Sequence, residues 1–274
     1  MLLTIDIGNT TTSLGLFEET ANKDNTYNLL HRWDISTSLN NTPDEYGSTI
    51  SNLIGINGYT VEHIKSTSIC SVVPSITSTF TKMSEFYFNC SPLVIGTGIK
   101  TGINISYDSP RDVGTDRIVD AAAALQLYGA PAIIVDLGTA TVFDAIDEKG
   151  TYLGGAITPG IEIAAETLFQ KGSQLHRVEL KAPPQAIGKN TIHSLQSGLL
   201  FGFADLIRGM IKRFKSELKN PDTIVIGTGG LVHEINQKEN LFDIINPNLT
   251  ITGLAIIYNL KKTKELLYNT NDML

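Results

Sequence analysis

Two short apolar runs near the N-terminus enclose a polar tip. Leu2 to Ile5 reads as a buried strand, because a β-rich apolar run of this length suits one. Asp6-Ile7-Gly8-Asn9-Thr10-Thr11-Thr12 follows, and a second apolar run extends from Ser13 to Phe17. Gly8 and Asn9 stand where the chain would reverse, and both tolerate positive φ, so the pattern predicts a β-hairpin. The pattern then returns. Ala132 to Val135 is apolar, Asp136-Leu137-Gly138-Thr139-Ala140-Thr141 follows, and Val142 and Phe143 resume the apolar run. Asp136 lies 130 residues after Asp6, near half the length of the 274-residue chain, and a fixed-offset echo marks an internal repeat.

Between and beyond the hairpins the pattern alternates strand and helix. Asn22 to Asn28 reads as a polar loop and Leu29 to Ile35 as a third strand. Thr42-Pro43-Asp44-Glu45 has the hydroxyl, proline and glutamate of a capped helix start, with the helix running to about Ile54. His63 to Val73 reads as a strand and Ser75 to Phe88 as a helix, with Ile76, Phe80, Met83 and Tyr87 at helical spacing. Leu93 to Ile95 is a short strand, and alanine-rich Ile118 to Tyr128 a helix. In the second half, Thr151 to Ile157 reads as a strand and Ile161 to Gln170 as a helix. Leu175 to Pro184 is extended, a lid or an edge, and a long helix follows from Thr191 to Lys219. Thr223 to Ile226 is a strand ending in Gly227-Thr228-Gly229-Gly230, a turn where an adenosine could rest on backbone, and Asn248 to Leu260 closes with a helix. Past Leu267 the tail is expected to fray. The βββαβαβ order of the first half is the pattern of a ribonuclease-H-like domain. It predicts an α/β chain of two such domains, 1–117 and 118–274, with the option that the last helix packs back on the first.

Composition narrows the classes. The net charge is −7 and charged residues are 18%, which argues against non-specific nucleic-acid binding. No run of eighteen or more apolar residues exists, so no membrane span is predicted. The N-terminus begins directly with a strand pattern and lacks a basic n-region, so a cytoplasmic protein without a signal peptide is expected. Cys70 and Cys90 have neither metal-site nor disulfide-framework spacing and read as buried thiols.

The tips carry the candidate chemistry. Glycine lets an anion approach backbone amides closely, and the hydroxyls of Thr10, Thr11, Thr12 and Ser13 add donors. A carboxylate beside a phosphate loop makes sense when a cation sits between them. Two such hairpins facing each other across a cleft would hold a nucleotide's phosphates from both sides. The bland reading is an edge hairpin with a solvated tip, and the repeat weighs against it. A second dense polar segment runs from Tyr107 to Arg117. Asp116 would lie in a helix's first turn, where acids are favoured by the dipole; a cap alone explains neither Arg117 nor Gly114. No Gly-x-x-x-x-Gly-Lys-[Ser/Thr] segment occurs, so a Walker-type lysine is absent.

Asp6-Ile7-Gly8-Asn9-Thr10, Ser71-Val72-Val73-Pro74, Gly114-Thr115-Asp116-Arg117, Asp136-Leu137-Gly138-Thr139-Ala140-Thr141, Gly154-Gly155-Ala156-Ile157-Thr158-Pro159-Gly160 and Gly188-Lys189-Asn190-Thr191 occur in that order. The paired hairpins resemble the phosphate loops of the sugar-kinase, chaperone and actin superfamily. The full set resembles type III pantothenate kinases, from Leu2 to about Leu260. The resemblance implies an actin-like ATPase fold and phosphorylation of pantothenate by ATP at its primary hydroxyl, the first step of coenzyme A synthesis. It implies ATP held by Asp6, Ile7, Gly8, Asn9, Thr10, Thr11, Thr12, Ser13 and Thr139. It implies a monovalent cation, potassium or ammonium, at Asp136, together with Mg2+. It places pantothenate on Tyr107, Gly114, Thr115, Asp116, Arg117 and Thr191, with Asp116 as general base, in a homodimer where Thr191 serves either its own chain's site or, across the interface, the neighbour's. Arg117 is suited to pair with the substrate carboxylate in bidentate fashion. The long loop Glu19 to Asn28 and the Asn-rich tail depart from the pattern without touching a motif. The competing reading is an actin-like regulatory module that binds nucleotide and phosphorylates no small molecule; such a switch needs no base facing a substrate pocket. A sugar kinase fits less well, because the chain is short for that group. Apolar residues on more than one face of the long helix, among them Leu195, Leu199, Leu200, Phe201, Phe203, Leu206 and Ile207, predict burial on two sides. The second side would be covered by another copy of the chain or by the chain's own last helix.

Overall fold

The computed structural model describes residues 1–20, 27–96, 98–172, 175–237 and 239–271, the last eight without their side chains. In chain order the elements are β1 (Leu2–Ile7), β2 (Thr11–Glu19), β3 (Tyr27–Ser36), α1 (Pro43–Ile56), β4 (Ser66–Ser71), α2 (Pro74–Phe88), β5 (Leu93–Val94), β6 (Asn104–Ile105), α3 (Thr115–Tyr128), β7 (Ala132–Leu137), β8 (Ala140–Ile146), β9 (Thr151–Pro159), α4 (Ile161–Lys171), α5 (Thr191–Leu218), β10 (Ile224–Thr228), α6 (Val232–Asn236), β11 (Ile244–Ile245) and α7 (Leu249–Asn271). They form two compact units. The first comprises Met1–Ile103, Ser109–Ala123 and the chain from Leu249; the second comprises Asn104–Asp108 and Ala124–Asn248.

The two sheets share one design. In the first, the order is β3-β2-β1-β4-β5: an antiparallel meander followed by β4 parallel to β1 and β5 parallel to β4. In the second, β9-β8-β7-β10-β11 repeats it, with β6 added in parallel beside β9. This is the α/β arrangement that the repeated hairpin predicted. Leu3, Ile5, Leu14, Leu16 and Ile69 from the first sheet are wholly buried with Tyr46, Ile50, Phe80 and Met83 of α1 and α2. The capping box of α1 forms as its sequence indicates: Glu45 N–H donates to Thr42 Oγ1 at 3.3 Å, and Thr42 N–H donates to Glu45 Oε2 at 2.7 Å.

Three departures from the sequence reading have plain causes. β3 begins at Tyr27, not Leu29, because Tyr27 and Asn28 pair with Glu19 and Glu18 through backbone bonds that a polar sequence does not advertise; the remainder of the expected loop, 22–26, lies outside the described residues. The last helix is longer than Asn248 to Leu260, and it takes the option the sequence left open by belonging to the first unit, where Ile251 and Ala255 pack on Leu2 and Phe17. Gly253 makes this approach close: a Cβ there would stand 2.6 Å from the Val119 carbonyl oxygen. The fraying expected past Leu267 falls partly on 272–274, outside the described residues. Part of the apolar surface of α5 is covered from within its own unit, by a stretch the sequence reading did not consider. Val178, Leu180 and Ala182, from the extended stretch before α5, join the cluster of Leu199, Leu200, Ala204, Ile207 and Ile211, and Gln196 Nε2 donates to the Glu179 carbonyl at 3.0 Å.

Candidate active site

In the first unit the motifs meet at the carboxyl ends of β1 and β4. Asp6 stands opposite Ser13 on β2 and beside Cys70 on β4. The tip closes through Gly8 N–H to the Thr11 carbonyl at 3.0 Å. Neither Gly8 nor Asn9 adopts positive φ. Gly8 is required for closeness instead, since a Cβ there would lie 2.9 Å from the Thr11 oxygen. Two of the tip hydroxyls are already engaged. Ser13 Oγ donates to Asp34 Oδ1 at 2.6 Å, and Thr12 Oγ1 shares a 2.8 Å bond with Thr37 Oγ1. Asp34 is held in turn by Arg32, 3.2 Å from both carboxylate oxygens. Neither Asp34 nor Thr37 stood out in the sequence; antiparallel register with β2 was the signal that could have found them.

The first turn of α3 is fastened to the same strand ends. Thr115 Oγ1 donates to the Ser71 carbonyl at 3.0 Å and accepts from Cys70 Sγ at 3.2 Å. Asp116 follows, its Oδ1 accepting the Arg117 backbone N–H at 2.8 Å. Burial raises its carboxyl above the ordinary aspartate value, and the Arg117 N–H and guanidinium pull in the opposite direction. Arg117 is itself buried. Gly114 has a specific reason to be glycine: a Cβ would meet Asp116 Oδ1 at 2.5 Å. Burial most of all, with Asp6 and Asp116 adding to it, pushes the Cys70 thiol well above its usual range.

In the second unit the β7–β8 tip is tighter by one residue. Ile7 pairs with Thr12, whereas Leu137 pairs with Thr141, and Gly138 N–H reaches the Ala140 carbonyl at 3.1 Å. Gly160, at the start of α4, presses on this tip. Its N–H donates to the Thr139 carbonyl at 3.1 Å, and a Cβ would lie 2.4 Å from that oxygen and 2.5 Å from the Gly138 oxygen. Gly229, at φ +90°, does the same to Asp136: a Cβ would stand 2.5 Å from Oδ1 and 2.6 Å from the Leu137 backbone. Asp136, Thr139, Gly160 and Gly229 therefore form one cluster, in which the two glycines leave room only for backbone. Tyr107 also belongs to this unit, its ring against Gly154 and 6.4 Å from that of Tyr152. Thr191 is exposed at the start of α5, where Asn190 Oδ1 accepts the His193 N–H at 2.8 Å. Asp6 to Ser13 and Gly114 to Arg117 thus come together in one unit, while Asp136, Thr139, Tyr107 and Thr191 lie in the other.

Known proteins resemble the chain throughout. Residues 2–213 match the family model of type III pantothenate kinase. A Bacillus cytotoxicus protein named type III pantothenate kinase is 45% identical over 258 residues, covering 94% of this chain and 95% of its own. Two solved structures share the fold at low identity. One is a conserved Campylobacter jejuni protein described as a Baf family transcriptional activator, at 18% identity and TM-score 0.58, covering 95% of this chain and 99% of that one. The other, from Sinorhizobium meliloti, is described as a 2-dehydro-3-deoxygalactonokinase, at 10% identity and TM-score 0.57, covering 95% and 96%.

Proposed function

The chain belongs to the type III pantothenate kinase family, and we propose that it carries out the family's reaction with Asp116 as the general base. It phosphorylates pantothenate with ATP, the step that opens coenzyme A synthesis. The observation that carries the base assignment is the raised carboxyl of Asp116 in the first turn of α3, behind a glycine that leaves it space. A base works best when its pKa approaches the working pH, and a positioned one contributes about 10²–10⁴-fold. Asp116 accepts the proton of the pantothenate hydroxyl as its oxygen attacks the γ-phosphorus, and ADP leaves with the β–γ bridging oxygen. Arg117, one residue on, pairs with the substrate carboxylate.

ATP is taken by the β1–β2 tip and by Thr139. Ser13 donates its one O–H to Asp34, so in this arrangement its hydroxyl has no hydrogen left for a phosphate oxygen. No group of three His, Cys, Asp or Glu side chains among the described residues is placed to hold a metal ion. A Mg2+ ion would therefore draw ligands from the nucleotide's own phosphates, as Mg2+ commonly does. The donors near Asp136, a carboxylate beside backbone carbonyls, are hard oxygens that suit a potassium or ammonium ion. When bound, that ion neutralises phosphate charge that no Walker lysine meets here.

The assay that tests the reading follows ADP release with and without pantothenate, and in potassium against a bulky organic cation. Release that needs both pantothenate and the small cation is the expected result. Release independent of pantothenate would overturn the kinase reading in favour of a nucleotide switch. No helix among the described residues is long and apolar enough to cross a membrane, and a cytoplasmic location accords with the substrates. A homodimer formed by the second unit completes the proposal, with Thr191 serving the neighbouring chain's pantothenate.

A further inference from the structure

The hydroxyl of Thr115 is fully directed before any substrate arrives. A carbonyl oxygen can only accept, so the 3.0 Å contact with Ser71 takes the hydroxyl proton, and the 3.2 Å contact from Cys70 Sγ must then donate to the hydroxyl oxygen. The two bonds join the first residue of α3 to the last two residues of β4. Those two residues are the register partners of Asp6 and Ile7 on β1, and Val72 N–H continues the ladder to the Ile7 carbonyl at 3.1 Å. Ser71 Oγ secures the strand end further, accepting from the Val73 N–H at 3.1 Å and from Thr77 Oγ1 at 2.9 Å. The β1–β2 tip and the first turn of α3 therefore hang from one short piece of backbone.

We infer that Cys70 and Thr115 are positioning residues, a thiol–hydroxyl link that fixes where Asp116 stands relative to the β1–β2 tip. This rests on the reading of Asp116 as the base. An inert core cysteine would need no polar partner, yet the wholly buried Cys70 has one, and that partner is the residue before Asp116. Thr115 is accordingly a support for the base and not a donor to pantothenate. Reactive geometry is demanding: a misplacement of about 1 Å can cost on the order of a hundredfold.

The test uses purified full-length variants, with turnover, both KM values, the pH profile of kcat and thermal melting measured for each. Thr115→Val keeps the shape and removes both bonds. It should lower kcat by about tenfold or more, leave the KM for ATP within about twofold, and move the acid limb of the profile, because Asp116 changes its surroundings. Thr115→Ser restores the hydroxyl and should recover most of the loss. Cys70→Ala, which removes one bond of the two, should fall between wild type and Thr115→Val, with Cys70→Ser rescuing it. Thr115→Val with wild-type kcat and an unmoved acid limb would overturn the inference, as would equal losses in the valine and serine variants. Asp116→Asn separates the two ideas. Full turnover in Asp116→Asn sinks the base reading and the link's purpose with it, whereas an inactive Asp116→Asn beside a normal Thr115→Val sinks the link alone.

Discussion

A methyl group at position 114 would come within 2.5 Å of Asp116 Oδ1, the movable end of a side chain, and would meet no backbone. The carboxylate can swing aside, so Gly114→Ala should cost little stability, under about 1 kcal/mol. It should cost most of the turnover, because displacing Oδ1 breaks its bond from the Arg117 N–H and turns the whole carboxylate of the base; melting temperature and kcat measured together check this, and equal losses in both would refute it. Asp116 itself has a stability signature. Its folded pKa is raised, so protonated Asp116 favours the fold; that stabilisation is whole below about pH 4, where the unfolded chain is also protonated, and fades as pH rises through the folded value. Asp116→Asn should therefore melt no lower than wild type near neutral pH, and any gain should vanish in acid, while turnover is lost at every pH. In wild type, turnover should fall as pH drops through a value above the ordinary aspartate range. A variant that melts lower at neutral pH would show that ionised Asp116 holds the fold, contrary to its burial. Gly114 and Asp116 were legible in the sequence as a motif. The Thr115 link was not, because nothing in a string of residues says that a cysteine 45 positions earlier lies beneath a helix start.

At the scale of elements, the two hairpins were the most legible feature, since an apolar run, a glycine tip and a second apolar run suffice to write one. What the string hid was register. Aligned by sequence, Thr11 corresponds to Thr141, but in the sheets Thr12 holds the place of Thr141, because the first tip is one residue longer. A period-two pattern locates strands and leaves turn length open by one. The short strands β6 and β11 have two residues each, too few to show any period. The tip of the second hairpin is held differently from that of the first. Gly160 approaches carbonyl oxygens of Gly138 and Thr139, and these are backbone atoms that cannot swing away. Gly160→Ala should therefore destabilise the second unit by about 1–3 kcal/mol, the usual cost of overpacking, and weaken ATP binding as the tip shifts. This is the reverse of Gly114→Ala, where activity goes and stability stays. Chemical denaturation and nucleotide titration of the two variants test the contrast, and a Gly160→Ala protein as stable as wild type would remove the claim.

For the whole molecule, ionic conditions and assembly remain to be argued. Asp136 beside a triphosphate would repel it by about 4 kcal/mol at about 4 Å in an effective dielectric of 20, and a cation between them turns the repulsion into a bridge. Activity should therefore fall sharply when potassium is replaced by a bulky organic cation, and Asp136→Asn should weaken that dependence; equal rates in the two buffers would count against a cation at this place. Assembly needs a different argument from the one the sequence offered. Helix periodicity showed apolar residues on two sides of α5; Leu195, Leu199, Leu200 and Ile207 are buried within their own unit, whereas Phe201 and Phe203 are half-buried and Leu206 is exposed. The signal that survives is exposure. Among the described residues, the first unit exposes Leu39, Ile56 and Phe86, whereas the second exposes Tyr107, Leu127, Leu153, Ile157, Ile163, Leu168, Ile187, Ile192 and Leu206. Scattered surface hydrophobics are ordinary, so what bears on assembly is which of them stand beside a site residue. Ile187, 80% exposed, and Ile192, 56% exposed, flank Thr191, so a partner covering them would also bring Thr191 against a second chain. A contact of this kind between identical chains is two-fold and self-complementary. Sedimentation at micromolar concentration should give twice the 29.7 kDa chain mass. Ile187→Asp together with Ile192→Asp should lower it to the monomer and raise the KM for pantothenate, leaving ATP binding in place. A fully active wild-type monomer would refute the dimer and, with it, the role of Thr191 across the interface.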